Sequence, residues 1–312
     1  MRTFFEQLTK ACGASQPFSL AMITGTKGSS PQRIGAKAIF FHDGKIAGTL
    51  GGGCLEAEVQ ARARRTLQSG KPDTFEMVLD HDFGWDDGLI CGGSVSGLIL
   101  PHANQAASLW ASLASLSEPV SWGVRKDFSI APVSSAKEDW LYRETVSPPC
   151  PLWIAGSGHV AQAVAPLALQ LQFDVTVFDD RPELANHGFF PAETRLVVGP
   201  WHELLNEPAS RSPAFGLIVT RGHQHDALVL TEWIQRPFEF LGMIGSKRKA
   251  RIIREQFVRQ KIASQEQMVK VACPVGLDIH AQTTSEIAIS ILAQYVQKRS
   301  ECARPAVAEG IS

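Results

Sequence analysis

Cysteine is scarce and scattered in this chain of 312 residues: there are six, at positions 12, 54, 91, 150, 273 and 302, with no Cys-x-x-Cys pair. Such spacing excludes a zinc ribbon and a secreted disulfide scaffold, and it predicts reduced thiols in a cytoplasmic protein. Net charge is scarce too. A formal charge of −1 gives no overall pull toward nucleic acid or an anionic membrane, so small or localised partners are expected. No apolar window is long enough to span a membrane, and the N-terminal stretch carries Glu6 and lacks the apolar core of a signal peptide. Internal repeats and low-complexity tracts are also missing. What remains is an ordinary composition, 44% hydrophobic, and enough length for two domains with their own cores.

The hydrophobic pattern assigns these domains. Phe4, Phe5, Leu8 and Ala11 share one helical face, which predicts a short helix over residues 3–12 ended by Gly13. A strand is expected over 18–24, then a loop rich in turn formers, Thr26-Lys27-Gly28-Ser29-Ser30-Pro31. Two strands at 36–41 and 46–49 flank His42-Asp43-Gly44-Lys45, a hairpin signal. Helices at 55–67 and 106–116 and strands at 75–79, 94–100, 120–124 and 128–133 complete a small mixed α/β domain, residues 1–133. Residues 134–151 hold the run Ser147-Pro148-Pro149-Cys150-Pro151, which cannot continue a helix or a central strand, and are read as the linker.

Residues 152–300 read as a Rossmann-like, doubly wound parallel-sheet domain, with 301–312 as a tail. An apolar strand leads into Gly156-Ser157-Gly158-His159-Val160-Ala161, the start of a helix that contains Pro166. The next strand ends at Asp179, 21 positions after Gly158. Strand, glycine turn, helix, strand and terminal acid stand in the order of a dinucleotide fold, where pyrophosphate sits on the helix N-terminus and the acid bonds a ribose. Strands at 195–198, 215–220 and 240–244 continue the alternation with helices.

Chemistry is expected at strand ends and glycine loops. Gly51, Gly52 and Gly53 permit positive φ and close ligand approach, and Cys54 follows at a helix start, where the dipole favours a thiolate. Cys91-Gly92-Gly93 answers it and could meet it at one end of the sheet. The alternative is a pair of tight turns with inert cysteines. His223, His225 and Asp226 lie in a strand-end loop and read as a hydrogen-bonded polar loop rather than a metal site. The basic run Lys247 to Lys249 reads as a solvated helix start or, beside Gly245 and Ser246, as one that could neutralise a phosphate. Thr283 with Glu286 fits a capping box, whereas Asp278 either binds its own turn or faces a ligand.

These motifs in this order resemble the XdhC/CoxI family, accessory factors that load molybdenum cofactor into xanthine dehydrogenase and related molybdenum hydroxylases. The resemblance rests on Gly28-Ser-Ser-Pro31 with Gly35-Ala36, Gly51-Gly-Gly-Cys-Leu-Glu56, Cys91-Gly-Gly93, Gly156-Ser-Gly-His-Val-Ala161, Asp179-Asp-Arg-Pro182, Gly245-Ser-Lys-Arg-Lys-Ala250 and Gly276-Leu-Asp278. It implies a family-specific N-terminal domain joined to a Rossmann-like domain, and a chaperone without turnover of its own. Such a chaperone would bind the molybdopterin form of the cofactor, protect it during sulfuration and pass it to an apo molybdenum hydroxylase. A cysteine desulfurase and a second copy of the chain are the other implied partners. The implied contacts are Gly51, Gly52, Gly53, Cys54, Glu56, Cys91, Gly92, Gly156, Gly158, His159, Asp179, Gly245, Ser246, Lys247 and Asp278, with Cys54 and Cys91 toward the metal in a cleft that the linker closes. Two departures stand out: His280 replaces an expected glycine, and Arg221-Gly-His-Gln-His-Asp226 is a variant loop. The rival reading is an NAD(P)-dependent oxidoreductase using Gly156, Gly158 and Asp179, with Arg181 leaving NAD against NADP open. A third is a nucleotide-sensing scaffold.

Overall fold

A computed structural model describes residues 2–14, 16–30, 32–79, 93–134, 139–206 and 214–302. The chain divides into two compact units, one ending at Pro148 and the other beginning at Pro149. The first contains α1 (Arg2–Gly13), β1 (Phe18–Lys27), β2 (Lys37–Phe41), β3 (Ile46–Gly48), α2 (Gly53–Ser69), β4 (Asp73–Leu79), β5 (Gly93–Leu100), α3 (Ala107–Ala114), β6 (Val120–Arg125), β7 (Ile130–Pro132) and β8 (Trp140–Val146). Five strands form an antiparallel sheet in the order β3-β2-β1-β5-β4, and three form a second in the order β7-β6-β8.

Period-two alternation explains why β1 reads as one apolar run. Leu20 and Met22 enter a core with Phe5, Leu8, Trp110, Trp122 and Tyr142, while Ala21 and Ile23 enter another with Leu55, Val59 and Ala63 of α2. The five-stranded sheet is therefore covered on both faces, and each face takes alternate residues. Three features differ from expectation. β1 runs on through Thr26 and Lys27, which read as loop. A 3-10 turn at Ala103–Ala106 precedes a shorter α3. Much of the expected linker is structured: Trp140, Tyr142, Glu144 and Val146 alternate inward along β8, which pairs with β6. The prolines at 148 and 149 mark the unit boundary itself.

The two sheets of this unit are joined through a buried polar cluster. Lys37 of β2 and Glu144 of β8 are 8% and 5% exposed, and Lys37 Nζ reaches Glu144 Oε2 at 2.5 Å. Tyr142 Oη donates to the same oxygen, Trp122 Nε1 donates to Oε1 at 3.1 Å, and Lys37 also donates to Gly35 O at 2.8 Å. Burial lowers the Lys37 pKa and the Glu144 carboxylate opposes that shift.

The second unit contains β9 (Cys150–Ala155), α4 (His159–Gln170), β10 (Phe173–Asp179), β11 (Arg195–Val198), α5 (Trp201–Leu204), β12 (Ala214–Ile218), α6 (His223–Trp233), β13 (Phe238–Met243), α7 (Lys247–Arg259), α8 (Gln265–Lys270), β14 (Val271–Ala272) and α9 (Thr284–Cys302). Its six strands are all parallel, in the order β11-β10-β9-β12-β13-β14. In chain order that is third, second, first, fourth, fifth, sixth, the arrangement of the doubly wound dinucleotide fold. One face packs α4 and α9 onto Leu152, Ile154, Val175 and Leu217; the other packs α5, α6 and α7 onto Trp153, Phe178, Ile218 and Met243. Strands covered on both sides carry the continuous apolar runs seen in the sequence. The two-residue β14 and the short α5 and α8 were not legible there. Pro166 lies inside α4, as expected.

Cutting one side of the buried pair in the first unit strands a charge. Lys37→Met should destabilise that unit by about 3–5 kcal/mol, and Lys37→Met with Glu144→Gln should recover most of the loss. Chemical denaturation of both variants checks this; equal losses would assign the cost to packing around Lys37.

Candidate functional site

Each unit carries a glycine loop that feeds a helix, and the two are built differently. In the first unit Gly51, Gly52 and Gly53 have φ of 115°, 77° and 59°, a left-handed run that only glycine adopts at little cost. Gly52 is the N-cap of the 17-residue α2 and makes no side-chain cap, so the leading amides are capped by no side chain of that residue. Glu56, in the first turn, braces the loop from behind: its Oε2 accepts from Leu50 N and Thr49 Oγ1, both at 2.9 Å. Gly51 N donates to Thr49 Oγ1 at 3.0 Å. Glu56, expected to touch a ligand, shapes the loop through these bonds. Cys54 stands in the first turn of α2, half-buried. Cys91 and Gly92 lie outside the described residues, as does the loop expected to bring them to Cys54. The thiol of Cys12 is pushed up by burial in its helix.

In the second unit Gly156 has φ of 114°, and a Cβ there would meet Val219 O at 2.4 Å, so only glycine lets the turns after β9 and β12 touch. Gly158 is the N-cap of α4 and likewise makes no side-chain cap. His159 is exposed at the helix start. Ser157 is fully buried, and its hydroxyl has no partner among the described residues.

Asp179 stands where the sequence put it, at the end of β10, but its carboxylate is fully engaged. Ser157 N donates to Oδ2 at 2.6 Å and Arg181 Nη2 to the same oxygen at 2.8 Å. Arg181 N and Nε donate to Oδ1 at 2.9 and 2.8 Å. A carboxylate has about four lone-pair positions, all filled here, and the side chain is 1% exposed. Burial alone raises its pKa; the hydrogen bonds from Arg181 and Ser157 and the guanidinium charge outweigh that and hold the carboxyl below its ordinary value. The acceptor positions expected to bond a ribose are thus taken in this structure by Arg181 and Ser157.

The other strand-end loops are also self-satisfied. Asp226, 1% exposed, accepts from Thr220 N at 3.1 Å and Thr220 Oγ1 at 2.7 Å, and pairs with Lys249, which donates further to Ile244 O at 3.0 Å. His223 is exposed, and Arg221 bonds His225 Nε2 at 3.2 Å and Asp180 Oδ2 at 2.9 Å. Among the described residues no group of three or more His, Cys, Asp and Glu side chains could hold a metal ion. Ser246 caps α7 by accepting from Lys249 N at 3.2 Å, Gly245 packs beside Lys249, and Lys247 is exposed. Asp278 is exposed, 3.6 Å from His280. His280 has φ of 56°, which gives a physical reason for the glycine expected there. Thr283 and Glu286 exchange the capping-box bonds. Sequence reasoning missed the Lys37 cluster and the part played by Arg181. An Asp-x-Arg spacing at a strand end was the available signal for the second.

Two family models match the chain: the XdhC Rossmann domain over residues 152–295 and the XdhC and CoxI family over residues 11–82. The chain belongs to the XdhC/CoxI family. It is 29% identical over 297 residues to the uncharacterised protein YqeB of Escherichia coli, covering 95% of this chain but only 46% of that protein's length. It is 22% identical to a probable xanthine dehydrogenase subunit from Bacillus subtilis, over 91% of this chain and 94% of that one. The molybdenum cofactor insertion chaperone PaoD of Escherichia coli is 26% identical over 96% of this chain and 88% of its own. A crystal structure described as a xanthine dehydrogenase from Bacillus halodurans superposes with a TM-score of 0.82 at 26% identity, over 97% of this chain and 98% of that one. No helix among the described residues is long and apolar enough to cross a membrane.

The depressed Asp179 carboxyl carries a sign. Because its folded pKa lies below the unfolded value of about 3.9, its stabilisation is present above about pH 4 and is lost as pH falls through the folded value. Asp179→Asn should lower stability at neutral pH and flatten the acid side of the stability curve. Calorimetric unfolding across acid pH checks this; parallel curves for variant and parent would remove Asp179 from the acid transition.

Proposed function

We propose that this member of the XdhC/CoxI family is an accessory chaperone, which binds molybdenum cofactor in its molybdopterin form, holds it during sulfuration and delivers it to an apo molybdenum hydroxylase. The cofactor is cargo: a phosphate, a dithiolene-bound oxo-metal and a flat pterin. The observation that carries the reading is the braced run of three left-handed glycines opening α2. Leading amides of a long helix favour a phosphate, and the absence of Cβ atoms lets it approach the backbone. The sulfur of Cys54, one residue beyond, is a soft donor suited to the metal end, with Cys91 as the second candidate. Likeness to PaoD across 96% of the chain supports the same reading.

The rival dinucleotide oxidoreductase loses support at Asp179, whose acceptor positions are filled by Arg181 and Ser157. No described feature restores it.

The test is cofactor retention and transfer. Gly52→Val forces a branched side chain into φ of 77° and should cut bound pterin and molybdenum at least about tenfold, the effect of losing about one charge-assisted hydrogen bond. Cys54→Ala should lower molybdenum retention and activation of an apo hydroxylase while pterin phosphate binding persists. Both contents are measured on purified protein by pterin fluorescence and elemental analysis. Parent-like retention and transfer by both variants would take the cofactor off this loop.

A further inference from the structure

The second unit has the strand order, the glycine turn and the terminal acid of a dinucleotide site, yet two sets of side chains occupy the places where a dinucleotide would lie. The first is the filled carboxylate of Asp179: Arg181 supplies three of its four hydrogen bonds, two from the guanidinium and one from its own amide. A ribose hydroxyl donating to Asp179 would have to displace a guanidinium hydrogen bond.

The second is independent and sits at the crevice itself. In the sheet β9 lies between β10 and β12, so the ends of β10 and β12 are two strand spacings apart, about 9–10 Å. Asp180 follows β10 and Arg221 follows β12, and their ion pair closes at 2.9 Å. It must therefore cross beyond the carboxyl end of β9, where the chain turns through Gly156 to Gly158. That is the topological switch point, the place in open α/β sheets where a dinucleotide runs from the second strand over the first toward the fourth. The same Arg221 nitrogen also lies 3.2 Å from His225 Nε2.

We infer that Arg181 and the Asp180–Arg221 bridge are specificity determinants that close the Rossmann unit of this protein to nicotinamide dinucleotides. Arg181 occupies the ribose-reading acid, and the bridge spans the path of the pyrophosphate and second nucleoside. The glycine turn is kept because Gly156 is required by contact with Val219, a packing reason that persists without a nucleotide. This inference goes beyond the chaperone reading and does not rest on it, since the assay involves no molybdenum cofactor.

The test titrates NAD+ and ADP-ribose into the full-length protein by calorimetry. The parent should bind neither measurably, and Asp179→Asn should leave that unchanged. Arg181→Ala with Arg221→Ala frees the acid and opens the bridge, and should bind ADP-ribose at least about tenfold more tightly than the parent, the gain expected from one hydrogen bond to a charged acceptor. A parent that binds NAD+ and loses at least tenfold on Asp179→Asn would overturn the inference, as would a folded double variant with no gain. Should the double variant fail to fold, the Asp179 carboxyl carbon resonance of the parent decides. It should stay fixed on addition of ADP-ribose, and a shift would show that the ribose reaches the acid.

Discussion

A carboxylate taken out of water has to fill its lone pairs from the protein, and three buried acids meet that constraint at the points that organise both units. Glu144 draws on Lys37, Tyr142 and Trp122 and so ties a three-stranded sheet to a five-stranded one. Asp179 draws on Ser157 and Arg181 and so pins the first glycine turn of the parallel sheet to the end of the next strand. Asp226 draws on Thr220 and Lys249 and joins the loops after β12 and β13. Each acid destabilises its unit unless complete, because an unpaired buried charge costs several kcal/mol. Completeness is therefore what fixes the neighbouring loops in one geometry.

The same constraint separates the two glycine loops. Around Gly51 to Gly53 the nearby acid, Glu56, is only half-buried and faces the back of the loop, bonding Leu50 and Thr49. The leading amides of α2 are not consumed by it. Around Gly156 to Gly158 the acid faces the loop itself and takes the Ser157 amide. One loop is braced from outside its glycines, and the other is knitted into its own sheet. Fold alone points to the second loop, since that is where the doubly wound architecture puts nucleotides.

Much of the architecture was legible from pattern. Alternating strand and helix periods with Gly156, Gly158 and Asp179 in order predict a parallel sheet, and the sheet has the matching strand order. The Asp43-Gly44 hairpin and the Thr283 and Glu286 cap were equally plain, because turns and caps are made by residues close in sequence. β8 was hidden: its inward positions include Glu144, which reads as polar surface until Lys37 is seen 107 positions away in sequence. Strand β14, with two residues, carries too few side chains for any period to show.

The sequence by itself determined the order and kind of the main elements, the family to which they belong, and the places where only glycine fits the backbone. Those properties follow from local sterics and periodicity, which are written along the chain. Tertiary structure alone decided which polar groups remain available. Asp179 and Asp226 look alike in sequence to ligand-binding acids, but availability depends on who donates to each oxygen, and donors such as Arg221 for Asp180 or Lys249 for Asp226 arrive from strands and helices 41 and 23 positions away.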